Sequence, residues 1–391
     1  MQFTTPLPLT LYVHYPWCVQ KCPYCDFNSH TLKAEGQEAA YIEALLQQLD
    51  RTLPLIWGRP VQSIFFGGGT PSLMSEAGLS YFLTQAQMRL GFGSEIEITL
   101  EANPGTVDYE KFAGFRQAGV NRLSIGIQSF EDDKLHALGR IHSSQEAKRA
   151  VEAVQSAGFD NFNLDLMFAL PQQTLDQAVA DIEQAIALTP PHISHYQLTL
   201  EPNTPFYRQP PPLPEMELAD EMQAVCQQKL AEAGYQHYEV SAYAQSDFQC
   251  QHNLNYWQFG DYIGLGAGAH GKLTLPAEQR VIRTQMPASP GAYLQMMQQS
   301  QQQPLFSIET VGRVTEVAAE ALIFEFMLNA LRLQQPLEKA LFTQRTGLPF
   351  AQVADTLQHL QDKGLMQQTE THFGLTARGQ QFLNDVVAEF L

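Results

Sequence analysis

Cys18, Cys22 and Cys25 stand within LYVHYPWCVQKCPYCDFNSH (residues 11–30), separated by three and then two residues. Three thiolates on one loop can hold three irons of a four-iron, four-sulfide (4Fe-4S) cluster, which leaves the fourth iron open to a small chelating molecule. The same cysteines with His14 or His30 would make a Cys3His zinc site. Zinc ribbons take their ligands in two separated pairs, and no second pair follows in this chain. Two places after Cys25, where a fourth cysteine would extend the run, stands Phe27. Five cysteines in all, three of them crowded together, suit ligation in a reducing compartment better than a disulfide framework. Cys226 and Cys250 stand apart.

Further polar residues fall where a pocket would need them. FFGGGTPS (65–72) ends a β-rich run and enters a helix, so its glycines let backbone approach a ligand and expose N–H groups. It lacks the terminal Gly-Lys-Ser/Thr of a phosphate loop. Glu101 in TLEANPG, Gln128 in GIQS and Asp165 in NLDLMFALP lie at strand ends, and Arg140 in LHALGRIHS can offer a carboxylate-binding fork. QHNLNYWQFG (251–260) sets His252 beside Tyr256 and Trp257, an imidazole suited to iron next to aromatic surface that can pack on a flat ring system. GLGAGAHG (264–271), with His270, reads equally as a backbone approach to a ligand or as a tight turn that closes the sheet.

The elements that must position these residues alternate. LTLYVH, VQSIFFGG, EIEITLEA, NRLSIGIQS, FNLDLMFALP, ISHYQLTL and QHYEVSAYA read as strands. Stretches with apolar residues at three- and four-residue steps lie between them. That alternation predicts an α/β fold, a partial (β/α)6-type TIM-like barrel over residues 1–245 with its chemistry at the strands' C-terminal ends. Residues 246–310 read as a substrate-facing segment and a Gln/Pro-rich connection, and 311–391 as a small winged-helix-like α+β domain.

Lys plus Arg (23) against Asp plus Glu (41) leaves −18, which disfavours nucleic acid and anionic membrane surfaces. The N-terminal MQFTTPLPLT has neither the basic nor the apolar region of a leader, and no apolar run reaches about 18 residues, so a cytoplasmic location is expected.

The spacing CxxxCxxC followed closely by aromatics resembles the radical S-adenosylmethionine (SAM) superfamily, with Tyr24 and Phe27 at the aromatic positions. The order GGGTPS, E-NPG, GIQS, LGR and NLDL resembles its oxygen-independent coproporphyrinogen III oxidase branch, over about residues 10 to 385. The resemblance implies a 4Fe-4S cluster on Cys18, Cys22 and Cys25, and SAM chelated at the open iron. It places Tyr24, Phe27, Gly68, Gly69, Thr70, Glu101, Gln128, Arg140 and Asp165 against SAM. The oxidases carry CxxxCxxCxC and a longer N-terminal extension, whereas this chain has Phe27 and reaches its first cluster cysteine at residue 18. HNxxYW is what the heme chaperones of this branch display, and it matches His252, Asn253, Tyr256 and Trp257. That likeness implies heme as a third cofactor, with His252 as axial iron ligand and Tyr256 and Trp257 beside it. The expected function is a heme chaperone that delivers heme to acceptors such as respiratory enzymes through transient contacts, without membrane insertion, with homodimerisation left open. The rival expectations are coproporphyrinogen III oxidation by a deoxyadenosyl radical, and a zinc-bound scaffold.

Overall fold

The computed structural model describes residues 1–32, 36–56, 58–303 and 311–391. The end of the Gln/Pro-rich connection, at 304–310, lies outside the described residues. A 12-stranded sheet dominates the fold. In chain order its strands are β1 (Leu9–Tyr15), β2 (Val61–Gly68), β3 (Phe92–Ala102), β4 (Arg122–Gln128), β5 (Phe162–Phe168), β6 (His192–Gln197), β7 (Gln236–Glu239), β8 (Ala242–Ala244), β9 (Asp261–Leu265), β10 (His270–Leu275), β11 (Arg280–Gln285) and β12 (Arg313–Val317). They lie in the order β12-β11-β10-β9-β1-β2-β3-β4-β5-β6-β8-β7. Strands β1 to β6 pair in parallel, and the sheet does not close on itself, so the architecture is a partial barrel.

Local chemistry explains the alternation. Helix Ser144–Ser156 and helix Leu175–Ala187 each begin with a reciprocal capping box, Ser143 with Glu146 and Thr174 with Gln177. Helix Tyr109–Ala118 is capped by Asp108 and ends at Gly119, whose φ of 113° is open to glycine at little cost. The parallel strands are buried on both faces, β4 along its whole length, as expected of a sheet covered by helices.

Two features depart from the expected layout. QHYEVSAYA is a hairpin of the antiparallel strands β7 and β8, because the chain turns back at Val240 and Ser241. The sheet also runs on past residue 245: β9 pairs in parallel with β1, and β10 to β12 continue antiparallel. Asp261 anchors this junction, accepting from Arg59 (2.9 Å), Lys272 (3.0 Å) and Thr274 (2.9 Å) while fully buried. Burial alone would raise its carboxyl, but Lys272 and Arg59 outweigh that and hold it below the ordinary range. The GLGAGAHG run belongs to the same junction. A Cβ on Gly266 would sit 2.5 Å from the His14 carbonyl and 2.6 Å from the Tyr41 hydroxyl, so the turn packs against protein.

Residues 337–375 contribute a three-stranded antiparallel sheet with its own apolar core, which includes Phe326, Phe342, Leu357 and Phe373. Helix Ala319–Ala330 leads into it, and the following segment pairs back onto β7 through a bridge between Glu239 and Leu333.

Candidate functional site

The cysteine loop leaves the C-terminal end of β1 and is tied at its base. Trp17–Cys18 pairs with His30–Thr31, and Leu32 N–H donates to the Cys18 carbonyl at 3.0 Å. All three cysteines are free thiols that line one cavity of about 550 Å³, a volume that suits a drug-sized ligand. Burial pushes the Cys18 and Cys25 thiols up, and Ser29 Oγ lies 4.0 Å from Cys25 Sγ. Among the described residues no three His, Cys, Asp or Glu side chains converge on the position of one metal ion. His14 has both ring nitrogens engaged, Nε2 with the Asn28 carbonyl (2.8 Å) and Nδ1 with the Tyr12 hydroxyl (3.0 Å). His30 Nε2 faces Asn28 Oδ1 at 3.2 Å. Three thiols spread around a common space fit a multi-iron cluster better than a single zinc ion.

The cavity brings together Cys18, Cys22, Cys25, Tyr24, Phe27, Gly68, Gly69, Thr70, Glu101, Gln128, Arg140, Asp165 and Trp257. Its glycine segment works differently from the exposed N–H groups expected of it. Gly68 N–H donates to Glu101 Oε2 (3.2 Å), Gly69 N–H to the Tyr15 carbonyl (2.8 Å) and Thr70 N–H to the Trp17 carbonyl (2.8 Å). The Gly69 and Thr70 N–H groups are thus spent on docking against the root of the cysteine loop, and that of Gly68 on the Glu101 carboxyl. Glycine is needed there because a Cβ on Gly69 would meet the Trp17 carbonyl oxygen at 2.6 Å.

Arg140 crosses the wall beside the thiols, with Nη1 3.7 Å from Cys22 Sγ and Nη2 donating to the Gly126 carbonyl (2.8 Å) and to Asn103 Oδ1. Gln128, at the end of β4, has a φ of 66° and a buried side-chain oxygen that, among the described residues, has no hydrogen-bond partner. A left-handed backbone and an orphaned acceptor each cost about 1–3 kcal/mol, and both coincide at one cavity-lining residue. Asp165 accepts from Ser124 (3.0 Å) and Asn163 (2.8 Å). Burial raises the Glu101 carboxyl from the ordinary 4.5 to about 8, with Asp165 adding to the rise and the Gly68 bond opposing it. Asp165 is likewise raised by burial, against its hydrogen bonds. Five carboxyl side chains (Asp26, Glu101, Asp165, Glu201, Glu239) line the cavity against two cations, Lys21 and Arg140. Because Glu101 keeps its proton and Asp165 is raised toward its own, the lining gains its full negative charge only where a cation draws those protons off.

The QHNLNYWQFG segment forms a helix, Gln251–Trp257, and the structure divides its residues. Asn253 and Trp257 reach the cavity, whereas His252 and Tyr256 do not line it. His252 is buried, its Nδ1 3.0 Å from Ser63 Oγ and its ring 5.1 Å from that of Phe65. Burial, with the Arg122 cation, lowers its imidazole to about 3, so it is neutral. Asn255 donates to the Asp261 carbonyl (3.0 Å) and Thr10 Oγ1 (3.3 Å), and Tyr256 packs on Tyr262. His252, the expected axial heme ligand, thus has its ring turned inward onto β2. Cys250 is buried, with its Sγ 3.5 Å from Glu97 Oε1; Cys226 is buried against the Ala178 carbonyl. His270 is exposed.

Three contributors escaped the sequence reading. Glu97 lies two pleats before Glu101 on β3, and the period-2 alternation of a strand was the signal that both face inward. Asn103, within the E-NPG motif, joins Arg140 to Thr70 through Nδ2 donation at 3.1 Å. Gly126 leaves room for Asn103, Arg140 and Gln128, whose polar atoms would lie 3.0 to 3.2 Å from a Cβ there.

Comparison with known proteins shows the family of this chain. The radical SAM superfamily model matches residues 12–185, and the HemN C-terminal domain model matches residues 317–382. The chain is 46% identical to heme chaperone HemW of Escherichia coli over 98% of both chains, and 46% identical to heme chaperone HemW of Haemophilus influenzae over the same shares. It is 33% identical to heme chaperone HemW of Bacillus subtilis over 97% of this chain and 98% of that protein. The solved coproporphyrinogen III oxidase (HemN) of Escherichia coli, a radical SAM enzyme, superposes with a TM-score of 0.79 at 22% identity, covering 98% of this chain and 90% of that one, which shows a shared fold. With a cysteine triplet that opens on a walled cavity and this extent of identity, the chain belongs to the HemW family of the radical SAM superfamily.

Proposed function

We propose that this chain is a heme chaperone that holds a 4Fe-4S cluster and SAM in the cavity and passes heme to other proteins. The observation that carries the reading is the convergence of Cys18, Cys22 and Cys25 with Glu101, Gln128, Arg140 and Asp165 on one acid-rich cavity. When bound, the cluster and SAM supply one-electron chemistry at a carbon–sulfur bond. In this reading the thiolates bind three irons, and Tyr24, Phe27 and residues 68–70 shape the space beside them. Arg140 offers its guanidinium to the carboxylate of the methionine moiety. The side-chain oxygen of Gln128 and the carboxyl groups of Glu101 and Asp165 offer acceptors to amino and hydroxyl groups, and ionisation of those carboxyls on binding would suit a sulfonium cation. The names of the full-length relatives support the heme-handling role.

Heme enters this reading through His252, with Tyr256 and Trp257 beside it. Ligation requires the helix Gln251–Trp257 to turn His252 away from Ser63. Acceptors such as respiratory enzymes are met through transient surface contacts in the cytoplasm, and two copies of the chain can pair as a homodimer. Among the described residues no helix is long and apolar enough to cross a membrane. Phe27, 58% exposed at the cavity mouth, stands where the oxidases of the branch carry another cysteine and favours the chaperone over coproporphyrinogen oxidation.

The test is paired measurement on anaerobically reconstituted protein: electron paramagnetic resonance of the reduced cluster, and hemin titration with and without SAM. The expected result is a 4Fe-4S signal that SAM perturbs, and a shifted Soret band that His252→Ala loses. A sample that turns over coproporphyrinogen III to protoporphyrinogen would overturn the chaperone reading in favour of the enzyme. Tightly held zinc without sulfide would overturn both.

A further inference from the structure

The helix Gln251–Trp257 is short, internal and held at both ends by side chains from elsewhere in the fold. Its N-cap residue, Cys250, makes no side-chain capping bond. Glu97 of β3 caps the helix from outside instead: Oε2 accepts from Gln251 N–H (3.1 Å), and Oε1 from His252 N–H (3.1 Å). One residue further in, Ser63 of β2 holds His252 Nδ1 at 3.0 Å. At the other end the Arg332 guanidinium covers the Trp257 ring at 4.5 Å, while among the described residues the buried Trp257 Nε1 has no hydrogen-bond partner.

The joint after the helix stores backbone strain. Phe259 has a φ of 58°, and a bulky residue in the left-handed region is held there only by its surroundings. Phe259 is pinned by Lys272, which donates to its carbonyl at 3.0 Å and lies 4.1 Å over its ring. A short helix whose N-terminal cap comes from another strand and whose exit is a strained, non-glycine joint has the form of an element with a second position.

We propose that the helix Gln251–Trp257 is a latch, and that the bond from Ser63 to His252 holds the imidazole in a closed, heme-free position from which it must be released before it can meet iron. The proposal rests on the reading that His252 ligates heme. Ser63 and iron then compete for one ring: the closed form uses Nδ1 inside the barrel, and the open form presents a ring nitrogen outward. Release exchanges one buried hydrogen bond for an iron–nitrogen bond. The cap from Glu97 sets how far the N-terminal turn must come apart for that to happen.

Ser63→Ala leaves the closed imidazole with an unpaired buried nitrogen, which destabilises the closed form. Losing a buried hydrogen bond and orphaning its partner predicts faster hemin association and tighter binding, by about tenfold. The Soret band is expected to be unchanged in shape, and His252→Ala to abolish it. Weaker binding or an altered Soret band in Ser63→Ala would overturn the latch and make Ser63 an orienting partner of the bound ligand. Unchanged association in Ser63→Ala, with the band lost in His252→Ala, would overturn the latch and leave the ligand reading standing. Hemin binding unaffected by His252→Ala would remove the ligand reading, and the latch with it. A second measurement needs no variant: hydrogen exchange at the Gln251 and His252 amides of the wild-type protein must speed up when hemin is added. Amides that stay protected by Glu97 in the heme-loaded protein would overturn the latch.

Discussion

Replacing Glu101 by glutamine asks whether the cavity stores a proton that a cationic ligand must expel. Burial and the neighbouring Asp165 hold the Glu101 proton up to about 8 against an ordinary 4.5. Between those values the unfolded chain has lost this proton and the folded chain has kept it, so the unfolded state binds fewer protons and stability falls as pH rises. At about 1.4 kcal/mol per pH unit, the full window is worth about 5 kcal/mol as a ceiling, complete once pH passes 8. Glutamine keeps an oxygen for Gly68 N–H and removes the titration. Denaturant unfolding of both proteins, carrying the cluster and without SAM, should give nearly equal stabilities at pH 5. At pH 8.5 the variant should be more stable by about 3–5 kcal/mol. The opposite order is expected for SAM, whose cation prefers the ionised carboxylate. SAM affinity of the wild type should climb with pH through this window, while the variant binds about ten- to a hundredfold more weakly and without that climb. Parallel stability profiles from pH 5 to 8.5 would refute the reasoning, because Glu101 would then titrate alike in the folded and unfolded chains.

Serine at any one of Cys18, Cys22 or Cys25 should abolish the visible iron–sulfur absorption after anaerobic reconstitution, whereas serine at Cys226 should leave it intact. Gly126→Ala places a methyl group 3.0 Å from Asn103 Oδ1 and 3.2 Å from Arg140 Nη2 and Gln128 Nε2. SAM affinity by calorimetry should fall about tenfold while unfolding stability changes by about 1 kcal/mol. Asp261→Ala leaves Lys272 and Arg59 buried without their carboxylate, and chemical denaturation should show a loss of about 3–5 kcal/mol.

How much of this was legible beforehand follows from the range of each signal. The cysteine spacing is local, so the three thiols, their loop and their place after a strand could be read directly. Strand ends are local as well. Parallel strands share one C-terminal face, so Glu101, Gln128 and Asp165 were bound to meet once the β-α alternation was recognised. HNLNYW shows the limit. Its residue types suit a heme site, yet the helix could turn any of them inward, and only the packing of β2 decided that His252 meets Ser63 while Trp257 faces the cavity.

Sequence alone determined the alternating architecture, the loop of three thiols and the polar residues at the strand ends, because each depends on neighbours a few positions away. Tertiary structure alone decided that Glu97 would cap a helix more than 150 residues later, that Gly69 and Thr70 would spend their N–H groups on the root of the cysteine loop, and that burial would keep a proton on Glu101. Those outcomes depend on desolvation and on contacts across the sheet, and neither is encoded in any short stretch of chain.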